Sequence, residues 1–152
     1  MPRVVCHALF MLLGLCLAGA LASAASALPA TAEYGEGAFS ATNARRVDHD
    51  LDKLKHAPCL EKLAARHARR MARQERIWHQ DLTKVLDACD MTFVGENVAV
   101  GFSSGSDVVN EGWMRSKLHR KNILEKDFRL GEVIARKGDD GRWYACQLFG
   151  RR

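Results

Sequence analysis

Between residues 94 and 124 the chain mixes residue types that no generic helix or strand needs. Val94-Gly95-Glu96-Asn97-Val98-Ala99-Val100-Gly101 sets an acid and an amide inside an apolar run. Trp113-Met114-Arg115-Ser116 follows, then His119-Arg120-Lys121-Asn122-Ile123-Leu124. A carboxylate with so apolar a setting reads as buried, and a buried charge persists only where it is paired or hydrogen-bonded. The remainder of the chain is therefore read as a scaffold around this stretch.

The chain has 152 residues, enough for one domain and hardly two. Residues 1–27 read as a secretory signal peptide: Arg3 supplies a positive start, residues 4–21 are almost entirely apolar, and Ala25-Ser26-Ala27 is a small-residue cleavage site. An uncleaved membrane anchor is the alternative, since the apolar run approaches spanning length. A lipoprotein would need a small residue before Cys16, where Leu15 stands. With cleavage no transmembrane segment remains, and secretion or extracytoplasmic release is expected. Residues 28–38 read as a linker and 39–152 as the folded domain.

Removal of Arg3 leaves 22 basic against 18 acidic side chains, a net charge of +4. That suits anionic surface polymers or lipid headgroups and is too weak to argue for nucleic acid. Export leaves Cys59, Cys89 and Cys146. An odd count in an oxidising compartment implies one bridge and one spare thiol. Cys146 alternates with Tyr144 and Leu148 in a strand pattern, which predicts a buried, inert thiol.

A first helix is expected over residues 39–54. The second is clearer: Pro58 suits a first turn, and Leu60, Leu63, Ala64, Ala68 and Met71 share one face. Lys62, Arg66, Arg69, Arg70, Arg73 and Arg76 fall on the other, as a solvated face or a polyanion-binding stripe. His67, within the apolar face, reads as a hydrogen-bonded core residue. Trp78-His79-Gln80 falls in a loop, residues 82–88 form a short helix, and residues 101–105 form a flexible Gly/Ser loop. Ser106 is a good N-cap for a third helix reaching Ser116, with Asp107 at its positive end and Val108, Val109, Gly112 and Trp113 inward. Residues 131–137 and 142–149 form strands joined by the turn Gly138-Asp139-Asp140-Gly141. Helices followed by a hairpin imply an α+β fold.

Gly-Glu-Asn-Val-Ala at 95–99, followed by Trp-Met-x-Ser-x-x-His-Arg-x-Asn-Ile-Leu at 113–124, resembles the CAP superfamily, also called the SCP family. Its members include cysteine-rich secretory proteins, insect venom antigens, plant pathogenesis-related proteins and bacterial relatives. The resemblance is closest to the short bacterial form and spans residues 39–149. Asn43-x-x-Arg46 resembles the family's opening motif, although Lys53-Leu54-Lys55-His56 replaces its usual glycine.

The resemblance implies an α-β-α sandwich with a small antiparallel sheet between helical layers. It also implies a Cys59–Cys89 bridge. That bridge would close a loop of about 30 residues and contribute about 3.6 kcal/mol in the chain-entropy picture. Carried over residue by residue, the family's cleft comprises His79, Glu96 and His119, with His79 and His119 able to hold zinc or another divalent metal in some members. The second glutamate of larger members is replaced by Ser116.

Two histidines and one carboxylate are compatible with an open zinc site or with a structural hydrogen-bonded triad. Asn97 is expected to anchor backbone in the loop beside Glu96. Trp113 reads as a core or cleft-wall aromatic, with ligand stacking as the alternative. With Ser116 and a rim Arg120, these residues complete the candidate ligand contacts. The expected function is a monomeric, non-enzymatic binding module for a small amphiphile, an envelope component or a protein. The alternative is a metal-dependent hydrolase with zinc on His79 and His119 and Glu96 as general base.

Overall fold

The computed structural model describes residues 30–152; the expected signal peptide and cleavage site lie outside the described residues. The elements are α1 (Ala30–Val47), α2 (Pro58–Arg73), α3 (Leu82–Cys89), β1 (Phe93–Val100), a composite helix α4, α5 (Lys117–Ile123), β2 (Leu130–Lys137) and β3 (Trp143–Arg151). In α4 an α-helical turn (Gly105–Asp107) passes through a π-wound segment (Val108–Gly112) into a 3₁₀ turn (Trp113–Arg115). Among the described residues no helix is long and apolar enough to cross a membrane.

The three strands form an antiparallel sheet in the order β1-β3-β2. Strand alternation sends successive side chains to opposite faces. Tyr144, Cys146 and Leu148 of β3 pack with Leu60, Leu63, Ala64 and Met71 of α2. Ala145 and Phe149 pack on the other face with Ala38, Val109 and Trp113 from α1 and α4. The architecture is α+β, a sheet between two helical layers, as the family resemblance implies. Residues 138–141 make the expected hairpin turn, with Gly138 N–H donating to the Arg142 carbonyl.

Three expectations shift. Helix α1 begins at Ala30, inside the stretch expected as linker, and ends at Val47 rather than at residue 54. Its buried stripe is Tyr34, Ala38, Thr42 and Arg46, spaced by four, with Gly35, Phe39 and Asn43 beside it. Half-polar, that stripe carries no hydropathy period. Residues 93–100 form a strand rather than a loop, because both faces of β1 are covered and no polar-apolar alternation marks it. Helix α4 starts earlier than expected: Ser104, not Ser106, is its N-cap and accepts from Asp107 N–H at 3.1 Å.

Arg46 is wholly buried and, among the described residues, has no carboxylate partner. Its guanidinium donates to the carbonyls of Asp52, Ile123, Glu125 and Phe128 at 2.8–3.2 Å. Ile123 ends α5, so the cation also meets the negative end of that helix. Asn43, one turn earlier, binds Leu54 through both N–H and carbonyl. The Asn-x-x-Arg pair thus ties α1 to the chain segments that frame α5.

Candidate functional site

The site grows from β1. Glu96 pairs across the sheet with Leu148 and points to the α2 face, where its side chain is 1% exposed. Its Oε2 accepts from His79 Nδ1 at 2.7 Å and from Gln80 N–H at 3.1 Å. Its Oε1 accepts from Gln80 Nε2 at 2.8 Å and from the Cys146 thiol at 3.5 Å. Burial of a carboxylate is tolerable here because every oxygen has donors.

A carboxylate oxygen accepts, so Nδ1 carries a proton toward Glu96 and Nε2 faces outward. The His79 side chain is 59% exposed. It opens on a pocket of about 210 Å³ whose walls include Arg66, Arg70, Trp78, Gln80 and Lys84.

His67 lies beneath, buried, donating from Nε2 to the Trp78 carbonyl at 2.6 Å and 3.9 Å from Glu96 Oε1. It is the hydrogen-bonded core residue expected, but it also supports the loop that carries His79. Cys146 is the only free cysteine among the described residues and is buried. Burial first, then the neighbouring Glu96 charge, pushes its thiol well up, so it stays protonated and inert.

Asn97, the next residue, points to the opposite face. Its Nδ2 donates to Gln147 Oε1 at 2.9 Å and to the His119 carbonyl at 3.2 Å. Asn122 Nδ2 returns bonds of 2.9 Å to Asn97 Oδ1 and to the Glu96 carbonyl. Asn97 therefore anchors backbone, as expected, but from a strand, and the backbone it anchors is that of α5. This network holds the His119 backbone against β1. The His119 imidazole is half-buried and makes no hydrogen bond among the described residues. Burial first, and the His79 charge second, hold it below its ordinary value, which favours the neutral ring at neutral pH.

Four candidate ligand contacts do not line the His79 pocket. Asn97 and Trp113 are buried, and the Trp113 indole N–H donates to the Val98 carbonyl at 3.3 Å, so both shape the cleft rather than line it. Ser116 is the N-cap residue of α5 and its carbonyl accepts from Arg120 N–H at 2.8 Å. The Arg120 side chain turns to His49 Nε2 at 3.4 Å and lines a groove with Met114 and Lys121, not the His79 pocket.

Gln80 has the largest role that sequence reasoning left unassigned. Its only signal is its place directly after His79. A second pair also went unread: Glu132, across Leu148 from Glu96 and on the same face, accepts from Ala57 N–H at 2.6 Å and from His56 Nδ1 at 3.1 Å. Its place between Leu130 and Ile134 on the inward phase of β2 was that pair's sequence signal.

For the expected metal, the donor set is thin. Among the described residues no group of three or more His, Cys, Asp or Glu side chains has the arrangement to hold an ion. Both Glu96 oxygens are already engaged, which leaves the ring nitrogens of His79 and His119 as donors. Two donors do not make the three-ligand site of a zinc hydrolase.

Cys59 and Cys89 form the expected disulfide, joining the first turn of α2 to the end of α3. The sequence is 32% identical over 119 residues to an uncharacterized membrane protein, YlbC, of Bacillus subtilis (strain 168), covering 73% of this chain but 32% of that protein. The chain thus spans about a third of this curated relative. Among solved structures, an outer surface protein of Borrelia burgdorferi superposes with a TM-score of 0.68 at 22% identity, covering 75% of this chain and 89% of that one. An extracellular protein containing an SCP domain from Bacillus anthracis gives a TM-score of 0.67 at 26% identity, covering 78% and 40%. Residues 39–149 match the sequence model of the cysteine-rich secretory protein family, and the chain belongs to that CAP family.

Proposed function

We propose that the protein is an extracytoplasmic, non-enzymatic binding module whose cleft at His79, Glu96 and His119 takes a small amphiphile, an envelope component or a protein. The observation that carries this reading is the saturation of Glu96. A carboxylate with four donors on its two oxygens orients an imidazole and has no lone pair aimed at a substrate water. What the cleft offers a ligand is the outward Nε2 of His79 and the unbonded His119 ring. The signal-like first 27 residues, the disulfide and the extracellular relative from Bacillus anthracis support the extracytoplasmic setting. The hydrolase alternative needs Glu96 as a free base, and its bonding argues against that role.

Titration of the mature protein with dansyl-undecanoic acid, followed by fluorescence, tests the cleft. Binding is expected to weaken at least tenfold in His79→Ala/His119→Ala and to survive in Glu96→Gln. Binding unchanged in the double variant removes the cleft as the site. Turnover of a p-nitrophenyl acyl ester that disappears in Glu96→Gln would overturn the non-enzymatic reading.

A further inference from the structure

The outer face of α2 is the largest feature that this cleft leaves unexplained. Lys62, Arg66, Arg69, Arg70 and Arg73 recur along it, and Arg76 follows the last turn; all six are exposed. At 3.6 residues per turn the five helical cations fall within a stripe about 100° wide and about 16 Å long. The helix carries a single acid, Glu61, and none of the six cations forms an ion pair among the described residues. Elsewhere Arg45, Lys84, Arg115, Arg142 and Arg151 all have carboxylate partners. From β2, Arg136 adds a half-buried cation close enough to be disfavoured by Arg69. A surface of like charges with no internal counter-ions lowers its energy by recruiting an external polyanion.

We infer that this face docks a linear, phosphate-bearing polymer of the polyol- or sugar-phosphate type, laid along α2. Such a chain has one charge per repeat, which suits cations repeating once per helical turn. The stripe runs into the Trp78–His79 pocket, where Arg66 and Arg70 form part of the wall, so one end of the polymer would lie over the cleft mouth.

Two other polyanions fit less well. A nucleic-acid strand is normally gripped by stacking its bases on exposed aromatic faces. The nearby Trp78 ring is already covered by Arg70 at 5.8 Å and Arg76 at 5.0 Å from its centroid. An anionic membrane is usually met by a helix that inserts its apolar face. Here that face, with Leu60, Leu63, Ala68 and Met71, is committed to the core.

Fluorescence anisotropy with labelled poly(glycerol phosphate), read against the full folded domain, tests the assignment. Binding is expected at 25 mM salt with a log–log salt slope near −3, which corresponds to about four phosphates contacted. Arg69→Glu/Arg73→Glu should lower affinity at least tenfold with an unchanged melting temperature. Lys117→Glu/Lys121→Glu, the same change in net charge placed on α5, should leave it within twofold. The inference is independent of the cleft reading, because the salt slope and the paired charge reversals report on the α2 stripe alone.

No binding at low salt, equal loss in the two charge-reversal variants, or no loss in Arg69→Glu/Arg73→Glu would overturn it. Equal or tighter binding of single-stranded DNA of matched charge, or of vesicles with 30 mol % phosphatidylglycerol in phosphatidylcholine, would also overturn the polymer assignment.

Discussion

At the scale of single residues, the molecule depends on buried polar groups whose partners come from distant parts of the chain. Arg46 is the extreme case, since its guanidinium donates to four carbonyls, of which only those of Glu125 and Phe128 accept a further bond, from Phe128 N–H and Arg129. Arg46→Ala is expected to cost about 3–5 kcal/mol, because hydrogen bonds to charged groups are strong and the carbonyls stay buried without them. Arg46→Met, which fills the volume but donates nothing, should lose nearly as much; a urea midpoint close to wild type in that variant would assign the effect to packing instead. His119 makes a pH prediction. Its folded-state value is lowered, so the unfolded chain binds the proton first as pH falls below about 6.5. This residue's contribution is therefore fully present above that pH and is lost as pH falls through the lowered midpoint. By NMR the ring should titrate below 6.5. In His79→Ala the midpoint should rise, but incompletely, since burial is the larger cause.

At the scale of elements, close packing of α1 against α4 depends on Gly105. A Cβ there would lie 2.0 Å from the Tyr34 carbonyl and 2.4 Å from Ala38 N, contacts that only backbone movement relieves. The stretch 101–105, read from sequence as a flexible loop, ends instead in a buried turn. Gly105→Ala is expected to destabilise the domain by about 2 kcal/mol or more, and a thermal midpoint equal to wild type would show that α1 moves freely. The disulfide ties α2 to α3, the two elements flanking the loop that carries His79. Cys59→Ala/Cys89→Ala should lose about 3–4 kcal/mol in chemical denaturation, the value for a loop of this length. Denatured, non-reduced wild type should alkylate at one thiol per described domain, Cys146, and the folded protein at none.

At the scale of the whole molecule, β3 is the axis: its two faces divide the core, and β1 and β2 place Glu96 and Glu132 on either side of Leu148. Each carboxylate holds a histidine from a connecting loop, His79 or His56, and a backbone N–H as well. The sequence by itself determined the family, the amphipathic α2, the terminal hairpin, the short α3 and the disulfide. These are carried by local periodicity or by residue types whose chemistry has few alternatives. Only the tertiary structure decided that α1 reaches back to Ala30, that 93–100 is a strand, and that Gln80, His67 and Cys146 complete the setting of Glu96. Only it turned Arg120 away from the cleft and set His56 against Glu132. The physical reason is common to all of these: a buried polar group is defined by a partner far away in sequence. Hydropathy and spacing describe neighbours along the chain, whereas hydrogen bonds across the sheet are made only once the layers have closed.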